Sequence, residues 1–139
     1  MANDQVPSVL LHAMEHTVSG HYNVAHGSGL AALFPAVFSL NSDYCSFRLA
    51  KVYDLLVGSR AGLGEWEAAW GSIRLICQLI ERVDQNYTLR SLGVREESFL
   101  PMAQQALTTM ARGIANNPRP TNLEQLIDLY REALDEKVI

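Results

Sequence analysis

The stretch Leu11-His12-Ala13-Met14-Glu15-His16-Thr17-Val18-Ser19-Gly20-His21-Tyr22-Asn23-Val24-Ala25-His26-Gly27-Ser28-Gly29-Leu30-Ala31-Ala32-Leu33-Phe34-Pro35 decides how the chain is read. Just ahead of it, Pro7 and Ser8 can open a helix, with Pro before the first turn and Ser as its cap. That predicts a helix to about Ser19. Residues 20–29, rich in Gly and His, read as a loop, and residues 30–40 as a second helix bent or started by Pro35. No part of it alternates apolar and polar residues as a half-buried strand would.

The helical reading continues outward. Asn41, Ser42 and Asp43 offer caps for a third helix, whose apolar positions Phe47, Leu49, Ala50, Val52, Tyr53, Leu55 and Leu56 fit a 3.6-residue period up to Gly58. Residues 58–64 form a glycine-bearing connector without the spacing or the Lys-Ser/Thr pair of a phosphate-binding loop. A fourth helix is predicted over 65–83, burying Trp66, Trp70, Ile73, Ile76, Cys77 and Ile80. Residues 86–94 read as irregular, 96–112 as a fifth helix, and 116–120 as a Pro-rich break. Thr121-Asn122-Leu123-Glu124 matches a capping box and opens the last helix, with Leu123, Leu126, Ile127, Tyr130 and Leu134 as its apolar stripe. The fold class expected is all-α: one compact bundle of about six helices forming a single domain over residues 1–139.

Composition narrows the function. The chain has 139 residues, 48% of them hydrophobic, with a formal net charge of −4. That apolar content excludes a disordered or collagen-like chain, and the missing basic stripe excludes a nucleic-acid binder. The most apolar stretch, residues 29–40, holds Pro35 and is far shorter than the roughly 20 residues a membrane span needs. Cys45 and Cys77 form no CxxC pair and read as reduced, buried thiols, and no secretory signal opens the chain, so a cytoplasmic location is expected. One feature is unusual: 19% of residues are charged, against roughly 25% in an average domain.

The chemistry concentrates in the histidines. All four of them, His12, His16, His21 and His26, fall within this one stretch. Four residues apart on a helix, His12 and His16 project from one face and can reach a common divalent ion. His26 lies beyond the glycine-bearing loop, which can return it to that face. His21 has no partner at useful spacing and reads as a loop residue, and Glu15 either serves the site or faces solvent. The pentapeptide His12-Ala13-Met14-Glu15-His16 also spells H-x-x-E-H, the inverted zinc-peptidase signature, in which Glu15 would activate water.

The whole block from Leu11 to Pro35 resembles the opening of the C-terminal helical domain of the iron-containing alcohol dehydrogenases. The resemblance continues more faintly through Thr88-Leu89-Arg90-Ser91-Leu92-Gly93-Val94 and Asn117-Pro118-Arg119. It implies that His12 and His26 are metal ligands for divalent iron or zinc, and that His16 lies near the nicotinamide of NAD or NADP and the small alcohol or aldehyde substrate. It implies further that two more ligands, and the nucleotide-binding domain that is the natural partner, precede this domain. The chain then carries half of a metal site and is expected to be inactive alone. Family members commonly have Pro where this chain has Ala25. A non-catalytic helical interaction module and the zinc peptidase are the other readings. The low charge fits an apolar face that normally meets a partner and that, when bare, favours self-association.

Overall fold

The last helix shows how the bundle is assembled. The computed structural model describes residues 9–60 and 62–135. Among these residues there are six α-helices and no strand: α1 (Leu10–Tyr22), α2 (His26–Val57), α3 (Glu65–Arg82), α4 (Phe99–Thr109), α5 (Ala111–Ala115) and α6 (Leu123–Asp135), with a 3-10 turn at Glu96–Ser98. On α6 the side chains of Leu126, Leu129, Tyr130, Ala133 and Leu134 are buried, one face of an amphipathic helix. They pack with Leu10, Met14 and Val18 of α1, Leu33 and Val37 of α2, and Met102 and Ala106 of α4 in the principal core. A smaller core of Phe34, Leu49, Ala69, Ile73 and Cys77 joins α2 to α3.

The helix count agrees with the sequence reading, but the boundaries do not. The start signals Pro7 and Ser8 lie outside the described residues. α1 runs through Gly20 to Tyr22 and ends at Asn23, whose left-handed φ of 51° stops it. The expected ten-residue loop therefore contracts to residues 23–25, and His21 is helical. The helices expected over 30–40 and from Asn41 onward are one 32-residue helix with Pro35 inside it. Asn41 is not a cap. It is buried and exchanges two amide hydrogen bonds with Asn117, at 2.9 and 2.8 Å, while Ser42 Oγ turns back to the Ser39 carbonyl. The fifth helix is divided: Met110, at φ −120° and ψ 23°, separates α4 from α5, and Gly113 lies inside α5. The capping box of α6 is displaced by one residue. The Asn122 N–H donates to Gln125 Oε1 and the Gln125 N–H to Asn122 Oδ1, each at 3.0 Å, and Thr121 Oγ1 donates to the Arg119 carbonyl.

Burial departs from expectation on the α2–α3 pair. Of the predicted stripe on α2 only Leu49 and Ala50 are buried; Phe47, Leu55 and Leu56 are exposed, Leu55 at 85%. Trp66 is exposed as well. Cys77 is buried and Cys45 half-buried, and the two form no disulfide. α3 approaches α2 closely at Gly71, where a Cβ would come within 2.6 Å of the Tyr53 ring.

The fainter stretches named above are joints. The N–H groups of Leu89 and Arg90 donate to the Ala133 and Leu134 carbonyls at 2.9 and 3.0 Å, closing the C-terminal end of α6. Arg90 also pairs with Asp135. The Arg119 guanidinium donates to the Leu40 carbonyl of α2 at 3.2 Å. These contacts fix the C-terminal end of α6 and tie the segment leading into it to α2.

Candidate metal centre

Three imidazoles converge from two elements. On α1, His12 and His16 stand one turn apart on the same face. The short turn after Asn23 brings the chain back at once, so His26, the first residue of α2, arrives beside them. The His26 ring centroid lies 5.3 Å from that of His12 and 5.5 Å from that of His16, tilted at 48° and 44°. His26 therefore sits about equally near both. His21 points elsewhere: its Nε2 is 2.7 Å from Gln105 Oε1 of α4.

Glu15 supports the cluster from below. Its side chain is fully buried, a position a carboxylate occupies only when partners replace its lost hydration. One oxygen accepts from Ser19 Oγ, four residues on along α1, and the other faces His26 Nδ1. The carboxylate lies against the first turn of α2, where the helix dipole favours negative charge. The chain leaves room for it at Gly29, where a Cβ would stand 2.9 Å from both Glu15 Cγ and Oε1. Sequence reasoning left Glu15 open. Its readable signals were the i, i+4 spacing to Ser19 and the absence of a side chain at Gly29.

This arrangement removes the peptidase geometry. In that reading Glu15 must face an open ion-bound water between His12 and His16; instead it is enclosed and committed to Ser19 and His26.

Electrostatics suit His12 to a lone-pair role. Burial, followed by the neighbouring imidazoles of His26 and His16, holds its pKa below the usual histidine value, against an opposing pull from Glu15. Beneath the site Tyr130 is buried, with its hydroxyl 2.6 Å from Thr17 Oγ1 and 3.1 Å from the Met14 carbonyl. Burial raises its pKa far above the ordinary tyrosine value, so it is a neutral strut between α6 and α1. Among the described residues no group of three or more His, Cys, Asp or Glu side chains is placed to hold an ion. The donor set is that of a partial site: imidazoles converging from two helices, with a buried carboxylate on one of them.

Residues 1–134 match the family model of the Fe-containing alcohol dehydrogenase family, C-terminal. The chain belongs to that family. It is 31% identical over 124 residues to lactaldehyde reductase of Escherichia coli K12, covering 89% of this chain and 32% of that protein. It is 32% identical over 123 residues to 1,3-propanediol dehydrogenase of Klebsiella pneumoniae, covering 88% and 31%. Among solved structures, an archaeal halo-thermophilic alcohol dehydrogenase from a Red Sea brine pool superposes with a TM-score of 0.87 at 27% identity, over 95% of this chain and 34% of that one. A 1,3-propanediol oxidoreductase superposes at 0.83 and 31% identity, over 89% and 32%. This member of the iron-containing alcohol dehydrogenase family thus spans about a third of the length of the curated relatives it matches. Its described helices are none of them long and apolar enough to cross a membrane.

Proposed function

We propose that this chain forms the C-terminal helical domain of a metal-dependent NAD(P) alcohol or aldehyde oxidoreductase. In this reading it supplies two metal ligands, His12 and His26, and the substrate-side residue His16. The observation that carries it is the convergence of the three imidazoles over buried Glu15. His12 and His26 would hold a divalent iron or zinc, which supplies Lewis-acid polarisation of the substrate oxygen when bound. His12 offers an uncharged imidazole because burial and its neighbours disfavour its proton. His16, exposed at the rim of the cluster, orients the substrate or relays a proton. The remaining ligands, and the nucleotide-binding domain that holds NAD or NADP, come from the preceding part of the enzyme, so residues 1–139 form one helical domain carrying half of the metal site.

Two ligands bind a metal weakly, and at such a site the general order of affinities favours nickel or copper over iron. The 139-residue chain alone should therefore give no NAD(P)-dependent alcohol oxidation with either iron or zinc present. Turnover by the chain alone would refute the half-site reading. Zinc titration by calorimetry tests the ligands: His12→Ala and His26→Ala should each abolish the weak binding, and His21→Ala should leave it unchanged. Binding that survives both of the first two substitutions would exclude them as ligands.

A further inference from the structure

Resting on that reading, we infer that Glu15 is a positioning residue for His26: it holds the proton of that ring on Nδ1 and so presents Nε2 to the metal. The inference comes from the local chemistry. One oxygen of Glu15 lies against His26 Nδ1 and, fully buried, has no hydrogen bond of its own; an ionised carboxylate only accepts, so a proton on Nδ1 is what satisfies it. The other nitrogen, Nε2, then keeps its lone pair. A free neutral imidazole favours the opposite form, with the proton on Nε2, and such a ring cannot ligate through Nε2 without first exchanging tautomer.

Glu15 is well held for this task. Its own position is fixed by Ser19 Oγ on one oxygen, by full burial and by the absence of a side chain at Gly29. Ser19 Oγ in turn lies 3.1 Å from the Val24 carbonyl, in the turn that delivers His26. One carboxylate thereby ties α1, the turn and the first residue of α2 into a single unit. Carboxylates in this outer position fix the orientation of metal-binding histidines, and their removal typically weakens metal binding roughly 10–100-fold. The H-x-x-E-H spelling acquires a different meaning here: Glu15 serves a histidine eleven residues downstream, not a water between the two histidines that flank it.

The test uses the metal-free 139-residue chain with 15N-labelled histidine at mildly alkaline pH, where long-range proton–nitrogen correlations report the tautomer of each ring. His26 should carry its proton on Nδ1 in the wild type. Glu15→Ala should move it to Nε2. Glu15→Gln, which keeps the volume and an oxygen able to accept from Nδ1–H, should recover part of the wild-type population, and circular dichroism establishes that both variants are folded. Zinc affinity measured on the same samples should fall roughly 10–100-fold in Glu15→Ala and less in Glu15→Gln. A wild-type His26 protonated on Nε2, or a Glu15→Ala variant that binds zinc within threefold of wild type, overturns the inference. A wild type that shows the Nδ1–H tautomer but binds no zinc instead overturns the metal reading and supports the part Glu15 plays in orienting the ring.

Discussion

Gly29 and Glu15 occupy one space between them, and substituting Gly29→Ala tests whether that is so. Taken alone, Ala in place of Gly near the start of a helix is favourable by about 0.5–1 kcal/mol, because Gly loses more backbone entropy on folding. Here the new Cβ would lie 2.9 Å from Glu15 Cγ and Oε1. Glu15 can give way only by loosening its contacts with Ser19 and His26. Overpacking of this kind costs about 1–3 kcal/mol, and a strained hydrogen bond to a charged group adds about 1–2 kcal/mol. The net expectation is a loss of about 2–3 kcal/mol, or roughly 6–12 °C in Tm for a domain of this size. In a Glu15→Ala background the sign reverses, since the methyl added at position 29 fills space that the Glu15 side chain has vacated. There the same substitution should be neutral or stabilising by up to about 1 kcal/mol. A double-mutant cycle by urea unfolding should therefore return a coupling of about 2–4 kcal/mol between positions 15 and 29. Additivity within about 0.5 kcal/mol, or an undiminished Tm for Gly29→Ala alone, would show that the two positions do not compete.

Other substitutions probe the scaffold. Gly71→Ala drives a Cβ to 2.6 Å from Tyr53 Cε2 and should lower stability by about 1–3 kcal/mol in thermal melts, a loss that Tyr53→Ala should relieve. Asn117→Ala strands the buried amide of Asn41 and should cost about 1–3 kcal/mol, with the Asn41→Ala/Asn117→Ala pair costing less than the sum of the single changes in urea unfolding. Ala25 has φ −61°, within the range a proline ring imposes, so Ala25→Pro should stabilise the chain by about 0.4–1 kcal/mol by restricting the unfolded state; a destabilised variant would mean that the turn before His26 differs. Burial, and then Asp128 one turn earlier, raises the pKa of Glu132. A carboxyl whose folded pKa is raised contributes stability at low pH that is lost as pH rises through and above the ordinary Glu range. Glu132→Gln should thus gain a few tenths of a kcal/mol at pH 7, a small value because the group is largely exposed, and nothing at about pH 3.5, below the ordinary Glu range; an equal gain at both would exclude the charge as its cause.

The fold class was legible because its signals are local and redundant. The apolar stripe of α6 and the one-face spacing of His12 and His16 survive any small error in helix ends. The boundaries were not legible where a residue that ordinarily breaks or caps a helix is put to tertiary use. Asn41 reads as a cap in sequence, yet its amide is taken by Asn117, a residue 76 positions away, and nothing near Asn41 announces that partner. Pro35 removes one backbone donor from α2, but it lies buried among Phe34, Ala36 and Val37, where packing outweighs the lost hydrogen bond. The exposed Phe47, Leu55 and Leu56 failed in the opposite sense. Periodicity identifies an apolar face without saying that this domain covers it. These side chains, with Trp66, give the low charge of the sequence a location, on the α2–α3 pair and not among the histidines.

The candidate site divides along the same line. His12 and His16 share a helix face by spacing alone, whereas the approach of His26 depended on how many residues the turn would use. A ten-residue loop would have left the position of His26 free. The three-residue turn fixes it, because α1 continues to Tyr22 and α2 begins at His26 itself. The shortening has a chemical consequence. With His26 at the first position of α2, Gly29 falls one turn later on the side facing α1, and that is where the Glu15 carboxylate is accommodated. The histidine spacing, the glycine and the buried acid are therefore consequences of one geometric choice. A change at any of the three should register at the other two before it registers anywhere else in the bundle.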